Sequence, residues 1–292
     1  MRSLLILAAF TAAELPSAPD SAPDERVIES KANGEKEDAQ VEKQRAALAL
    51  KLAKKGAREY RLCLTDERRT ELKLQSEPLL RWSNPAVGSI HGGVFLWTHQ
   101  GRPAAIASVY KWFSPNTHMA FEVHSLSTQP ILALRDSNVV WNPSRAGVEF
   151  KLLAEAPAPA ESAVARLAQM RAIAREFVVA KTDRDDKSEQ QMRLLAQPVF
   201  RYESREAGVA DGALFVFVQG TDPEVLLLVE AHATDQASDW HFALARMDST
   251  QFSVTRKNRV VWTAEELPWN DVLGGDLPYR VLNLDRLNRE PE

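Results

Sequence analysis

Glu122 and His124 are the residues whose types and spacing best suit chemistry. They stand two apart in the run His118 to Leu126, which reads as a β-strand, so both side chains leave the same face. Same-face neighbours on a strand lie about 7 Å apart, close enough to share a metal or to act as a base and the group that orients it. His118 is on that face too, but roughly 20 Å from His124 along the strand, too far to complete a site with it. A pair alone is not a site, and the competing reading is a polar strand face turned to solvent. Glu230 and His232 repeat the spacing at another place, which argues for chance.

An internal repeat supplies the comparison. Residues 71–97 lie over residues 191–217 without a gap at an offset of 120, with Leu74 on Leu194, Pro78 on Pro198, Arg81 on Arg201, Gly92 on Gly212 and Phe95 on Phe215. Upstream the offset is 117, where Thr65-Asp66 meets Thr182-Asp183. Downstream it is 121, where Val139-Val140-Trp141 meets Val260-Val261-Trp262. Two copies of one unit follow from this. What both copies share is fold; what only one copy has is a candidate for function. Glu122 and His124 fall on Ala243 and Ala245, so the pair belongs to the first copy alone.

Each copy opens on an apolar stripe at helical spacing: Ala46, Leu50, Ala53, Ala57 and Tyr60, then Ala163, Leu167, Met170, Ala174 and Phe177. Hairpins follow, Gly93–Trp97 with Ala105–Tyr110, then Ala213–Val218 with Val225–Val229, joined through Gly/Pro turns. These strands are apolar at consecutive positions and need cover on both faces; a helix supplies one and the sister copy the other. Two or three further strands complete each copy. The expectation is an α+β fold, two tandem copies of a helix followed by an antiparallel sheet of about five strands, like cystatin, NTF2 or split-barrel sheets.

The boundaries read as a signal peptide at 1–13, a disordered tether at 14–39, repeat domain 1 at 40–153, a Pro/Ala linker at 154–160, repeat domain 2 at 161–270 and a C-terminal tail at 271–292. Arg2, the apolar run Leu4 to Phe10 and the small residues Thr11-Ala12-Ala13 make up the signal, so the chain is expected to be exported, periplasmic or extracellular. The apolar run is too short for a retained membrane helix, so no transmembrane segment is expected in the mature chain. Cys63, the single cysteine, faces Ala180 across the repeat and reads as a small apolar filler. With 36 basic and 40 acidic residues and no long basic stretch, nucleic-acid binding is not expected.

Two resemblances add to this. The hairpin turn Gly101-Arg102-Pro103 is similar to that of pyridoxamine-phosphate-oxidase-type flavin proteins, which implies a flavin site in a split barrel. Leu80-Arg81-Trp82-Ser83-Asn84-Pro85, the Gly93–Trp97 hairpin and Asp211-Gly212-Ala213-Leu214-Phe215 resemble an uncharacterised family of exported planctomycete proteins, a likeness that brings no known activity with it. No G-x-S-x-G, H-E-x-x-H, Walker or dinucleotide motif occurs. The sequence points first to a non-catalytic exported binding protein without cofactor or metal, its two repeats packed together, its partner an envelope protein, a peptide or a polysaccharide. The alternatives are a flavin or haem binder, and a hydrolase or metalloprotein using Glu122 and His124.

Overall fold

Strands make up 48% of the protein and helices 16% in a computed structural model that describes residues 25–67, 69–233 and 238–288. Residues up to Lys43 and residues from Gln44 onward form separate compact units, and every strand belongs to the second. The signal peptide read at 1–13 and the tether up to residue 24 lie outside the described residues. Helix α1 begins at Glu25, inside the stretch that composition reads as a tether.

The first half runs α1 (Glu25–Gly56), β1 (Arg61–Leu64), β2 (Lys73–Leu74), β3 (Leu80–Ser83), β4 (Ser89–His99), β5 (Arg102–Ser114), β6 (Met119–Ser125), β7 (Ile131–Arg135), β8 (Asn138–Trp141) and β9 (Lys151–Leu152). The second runs α2 (Ala163–Ala174), β10 (Phe177–Thr182), β11 (Glu189–Gln191), β12 (Arg193–Leu194), β13 (Phe200–Ser204), β14 (Val209–Gln219), β15 (Asp222–Ala233), β16 (Ser238–Arg246), β17 (Gln251–Arg256) and β18 (Arg259–Ala264). It ends with α3 (Trp269–Gly274) and β19 (Tyr279–Asn283).

The expected α+β arrangement, a helix followed by one five-stranded sheet and then repeated, is overturned: the chain forms four antiparallel sheets. Strands β7 and β8 do not continue the large sheet but leave it to join β1. Their counterparts β17 and β18 join β10 and β11. Both β1 and β10 follow a helix closely, and the last residues read into the helical stripes, Tyr60 and Phe177, lie just before β1 and at the start of β10. Leu62, Cys63 and Leu64 are all buried because β1 is covered on both faces.

Both large sheets have the same register. Phe95 pairs with Ala107 and Val109 with Phe121 in the first; Phe215 pairs with Leu227 and Val229 with Phe242 in the second. Each is completed by a strand from the other half. Strand β9 adds to β16, with Lys151 opposite Phe242 and the Leu153 amide donating to the Trp240 carbonyl. Strand β19 adds to β6, with Leu282 opposite Phe121 and the Leu284 amide donating to the Met119 carbonyl. The two halves therefore exchange edge strands, which leaves neither sheet with a free edge at β6 or β16.

Alternation along the strands explains the consecutive apolar residues. Phe95, Trp97, Ala107 and Val109 face α1 and β1, and Phe215, Phe217, Leu227 and Val229 face α2 and β10. The residues between them, Val94, Leu96 and Ile106 with Leu214, Val216, Leu226 and Leu228, form one further cluster between the two sheets.

The repeated glycines Gly92 and Gly212 lie opposite Trp82 and Tyr202 on the neighbouring strands. A Cβ on Gly92 would stand 2.4 Å from the indole ring, and one on Gly212 would stand 2.6 Å from the phenol ring. Gly212→Ala is therefore expected to lower stability by about 1–3 kcal/mol through overpacking. A urea-unfolding midpoint indistinguishable from that of the parent protein would disprove it.

Candidate functional site

The inter-sheet layer is apolar at its centre and polar at both ends, and the repeat makes the two ends equivalent. At one end, Arg102 donates through Nε and Nη2 to Glu230 at 2.7 and 2.8 Å. Tyr202 donates to the same carboxylate at 2.8 Å, and His232 Nε2 stands 2.7 Å from it. The Arg102 guanidinium also covers the Phe150 ring at 4.2 Å. Glu230 is fully buried, yet its carboxyl is held low: burial pushes it up, and the His232 and Arg102 hydrogen bonds outweigh that. This end is a closed ion pair.

At the other end the counterparts are Asp222 for Arg102, Tyr110 for Glu230, Trp82 for Tyr202 and Trp112 for His232. Among the described residues no ion pair joins these four positions. Instead a cavity of about 260 Å3 opens, lined by these four residues together with Asn84, Glu122, Lys181, Glu224, Asp248, Trp269 and Tyr279. Its equivalent beside Arg102, about 280 Å3, is not lined by Glu230 or His232, because the Arg102 side chain stands in front of them. There Leu64, Ala104 and Ser127 occupy the places of Lys181, Glu224 and Asp248. The cluster of Lys181, Glu224 and Asp248 is thus a property of one cleft, not of the fold.

Within the open cleft the Lys181 ammonium donates to both Glu224 oxygens at 2.9 Å and to Asp248 at 2.8 Å. Burial opposes its charge, but the two carboxylates hold its pKa above the ordinary lysine range. Asp248 is lowered: burial pushes it up, and Lys181 overrides that. Burial and the Asp248 charge raise Glu224 well above the usual carboxylate range. Burial pushes Asp222 up to about 7; the Asn84 amide, donating at 3.4 Å, pulls it down and the Asp248 charge pushes it further up. Four acids in one low-dielectric space with so little positive charge cannot all ionise.

The two residues singled out by sequence are placed apart. Glu122 lines the open cleft and accepts a hydrogen bond from Tyr279, whereas His124 lines a separate cavity of about 380 Å3 with Arg145, Lys151 and Arg246. Tyr279 borders both cavities. Burial raises Glu122 well above the usual range, and the Asp248 charge adds to it. Burial lowers His124 to about 4, so it is neutral at physiological pH, with Nδ1 2.6 Å from the Ser125 carbonyl. Among the described residues no three His, Cys, Asp or Glu side chains converge as metal ligands. The face of β6 that carries the pair is not a solvated surface: His124 is buried and Glu122 is half-buried at the open cleft, while β19 pairs along the edge of the strand.

Sequence reasoning missed Lys181, Asp222, Glu224 and Asp248. The comparison that isolated Glu122 would also have isolated them, since their counterparts are Leu64, Arg102, Ala104 and Ser127. What it lacked was their convergence, because β10, β15 and the turn after β16 meet only in the folded chain.

Lys181→Met tests the electrostatics. Without the ammonium, Asp248 rises from below its unfolded value to above it and Glu224, already raised, rises further, so ionisation opposes folding more strongly as pH rises. The stability deficit of the variant is expected to be small near pH 4 and to grow steadily to pH 8 in urea unfolding. A deficit independent of pH would overturn this account.

No protein-family model matches this chain, nor does any curated protein or solved structure. What the fold and site define is a pair of face-to-face antiparallel sheets with one charged cleft at an end of their interface. No helix among the described residues is long and apolar enough to cross a membrane.

Proposed function

We propose that this is an exported, non-catalytic binding protein whose ligand occupies the open cleft between the two sheets. One observation carries the reading: two clefts made equivalent by the repeat differ in chemistry, and one holds Lys181, Glu224 and Asp248 where the other has Leu64, Ala104 and Ser127. A fold requirement would appear in both. Aromatic walls with a few convergent polar groups are what small-ligand sites present. The leader read at 1–13 and the tether composition read at 14–39 support export and a tethered binding role, and we place the chain with the exported planctomycete proteins it resembles.

A flavin or haem site draws no support from the Gly101-Arg102-Pro103 turn, whose arginine is engaged with Glu230 and Phe150. The hydrolase reading keeps one observation, that Glu122 and Asp222 both hold protons more tightly than ordinary carboxyls and so suit general-acid work. Native mass spectrometry with a visible spectrum, on protein recovered from a periplasmic fraction, separates the readings. A bound small molecule, lost in Val87→Arg at the cleft mouth, is the expected result. Turnover of a library compound abolished by Glu122→Gln would replace the binding reading with the hydrolase; a coloured protein would replace it with the cofactor binder.

A further inference from the structure

The open cleft has a charge deficit that its twin does not. In the twin the protein supplies its own cation, Arg102, against a buried carboxylate and over an aromatic ring. In the open cleft an acid, Asp222, stands in the cation's place and Tyr110 in the carboxylate's, and among the described residues no cationic side chain forms an ion pair with Asp222. Lys181 does not make up the difference, because its contacts go to Glu224 and Asp248.

Unused acceptors point the same way. Asn84 is 6% exposed and lines the cleft; its amide donates to one Asp222 oxygen, while its own oxygen accepts from no protein group among the described residues. The second Asp222 oxygen is also without a protein donor among the described residues. Tyr110, packed edge-on against Trp82 at 5.6 Å, lines the same space, and its hydroxyl has no protein partner among the described residues. Free acceptors beside aromatic faces suit a positively charged donor: N–H groups satisfy the oxygens, and the ring faces attract the charge.

We propose that the cleft binds a small primary ammonium compound, with Asp222 as counter-ion, Asn84 as acceptor and Trp82, Tyr110 and Trp112 as its aromatic walls. This rests on the cleft being the ligand site, as proposed above. A neutral sugar would leave the acids uncompensated, and a bare divalent ion would lack a set of converging ligands. The groups facing Asp222 are Glu122 and Tyr110 from the first sheet, Glu224, Asp248 and Lys181 from the second half, and Tyr279 from β19. Ammonium binding should therefore expel protons from this cluster and strengthen as pH rises through neutrality.

The test is calorimetric titration of the full protein at pH 8 with putrescine and ethanolamine, alongside glucose and calcium chloride, repeated on Asp222→Asn and Val87→Arg. The expected result is amine binding at least about tenfold weaker in Asp222→Asn, a change of the size that one lost charge contact produces. Val87→Arg, altered at a half-exposed rim where folding tolerates charge, is expected to bind neither amine. Failure of both amines to bind, or equal binding by parent and Asp222→Asn, overturns the ammonium assignment. Glucose or calcium binding that Val87→Arg abolishes, with no amine binding, overturns it too but leaves the cleft as the ligand site. If none of the four probes binds and the parent carries no bound molecule by native mass spectrometry, both the ammonium assignment and the ligand cleft fall.

Discussion

A chain ended after Asp276 is expected to have no cooperative fold. The deletion removes β19 and the turn of 3-10 helix that follows it, and with them Tyr279, Leu282, Leu284 and Leu287, all buried. Burial of each large side chain contributes about 1.5–3 kcal/mol, so the four together approach the whole ~5–15 kcal/mol by which a domain is ordinarily stable. Polar ties go as well. The Trp141 indole donates to the Leu277 carbonyl at 2.8 Å, the Met119 amide donates to Asp285 at 2.8 Å, and the Tyr60 hydroxyl donates to the Asn283 carbonyl at 3.2 Å. Strand β6 would be left as a bare edge, a template for aggregation. Far-ultraviolet circular dichroism and size exclusion of the truncated chain should show aggregate or unfolded protein. A monomer with a sharp urea transition would mean that β19 decorates the first sheet and does not complete it. Leu284→Ala, which leaves the strand in place but empties a fully buried position against Gly56, is the graded version, expected to cost about 2–5 kcal/mol.

Why the tail matters was not legible in the sequence, although much of what it joins was. The offset of 120 fixed which residues are equivalent, and the shared Gly92 and Gly212 proved to be the seats of Trp82 and Tyr202. The doubly apolar strands called for cover on both faces, and the inter-sheet cluster supplies it. Repeat comparison fails, however, where strands change partner. Strands β9 and β19 are equivalent in position, Leu153 matching Leu284, but the connections leading to them differ in length and β9 is only two residues long. Two residues carry no periodicity, so the exchange left no pattern to read. The same limit applies to the site. Glu122 stood out because its strand alternates; Lys181 comes from a strand end, Asp222 and Glu224 from the first residues of a hairpin strand, and Asp248 from a loop. Charge at such places is ordinarily solvated, and only tertiary packing moves it inside.

Arg102→Ala is expected to cost about 3–5 kcal/mol, second only to loss of the tail, because it strands a buried carboxylate. Glu230 would keep Tyr202 and His232 but lose both charge-assisted hydrogen bonds, and Phe150 would lose the guanidinium that covers it. The sign with pH follows from the shift. In the parent protein the Glu230 carboxyl lies below its ordinary value, so its contribution is present above the unfolded pKa and fades as pH falls through the folded one. In the variant the folded value rises above the unfolded one, and ionisation now opposes folding. The deficit should therefore be largest at pH 8 and shrink toward pH 4, where the stranded group is neutral in both states. Glu230→Gln in the Arg102→Ala background removes the charge outright and should recover stability at pH 8 relative to the single variant. If the double variant is no more stable than Arg102→Ala, Arg102 acts by packing on Phe150 alone, and the closed end is not an ion pair in any energetic sense. That result would also weaken the contrast between the two ends, since the missing cation of the open cleft is inferred from the one that Arg102 supplies here.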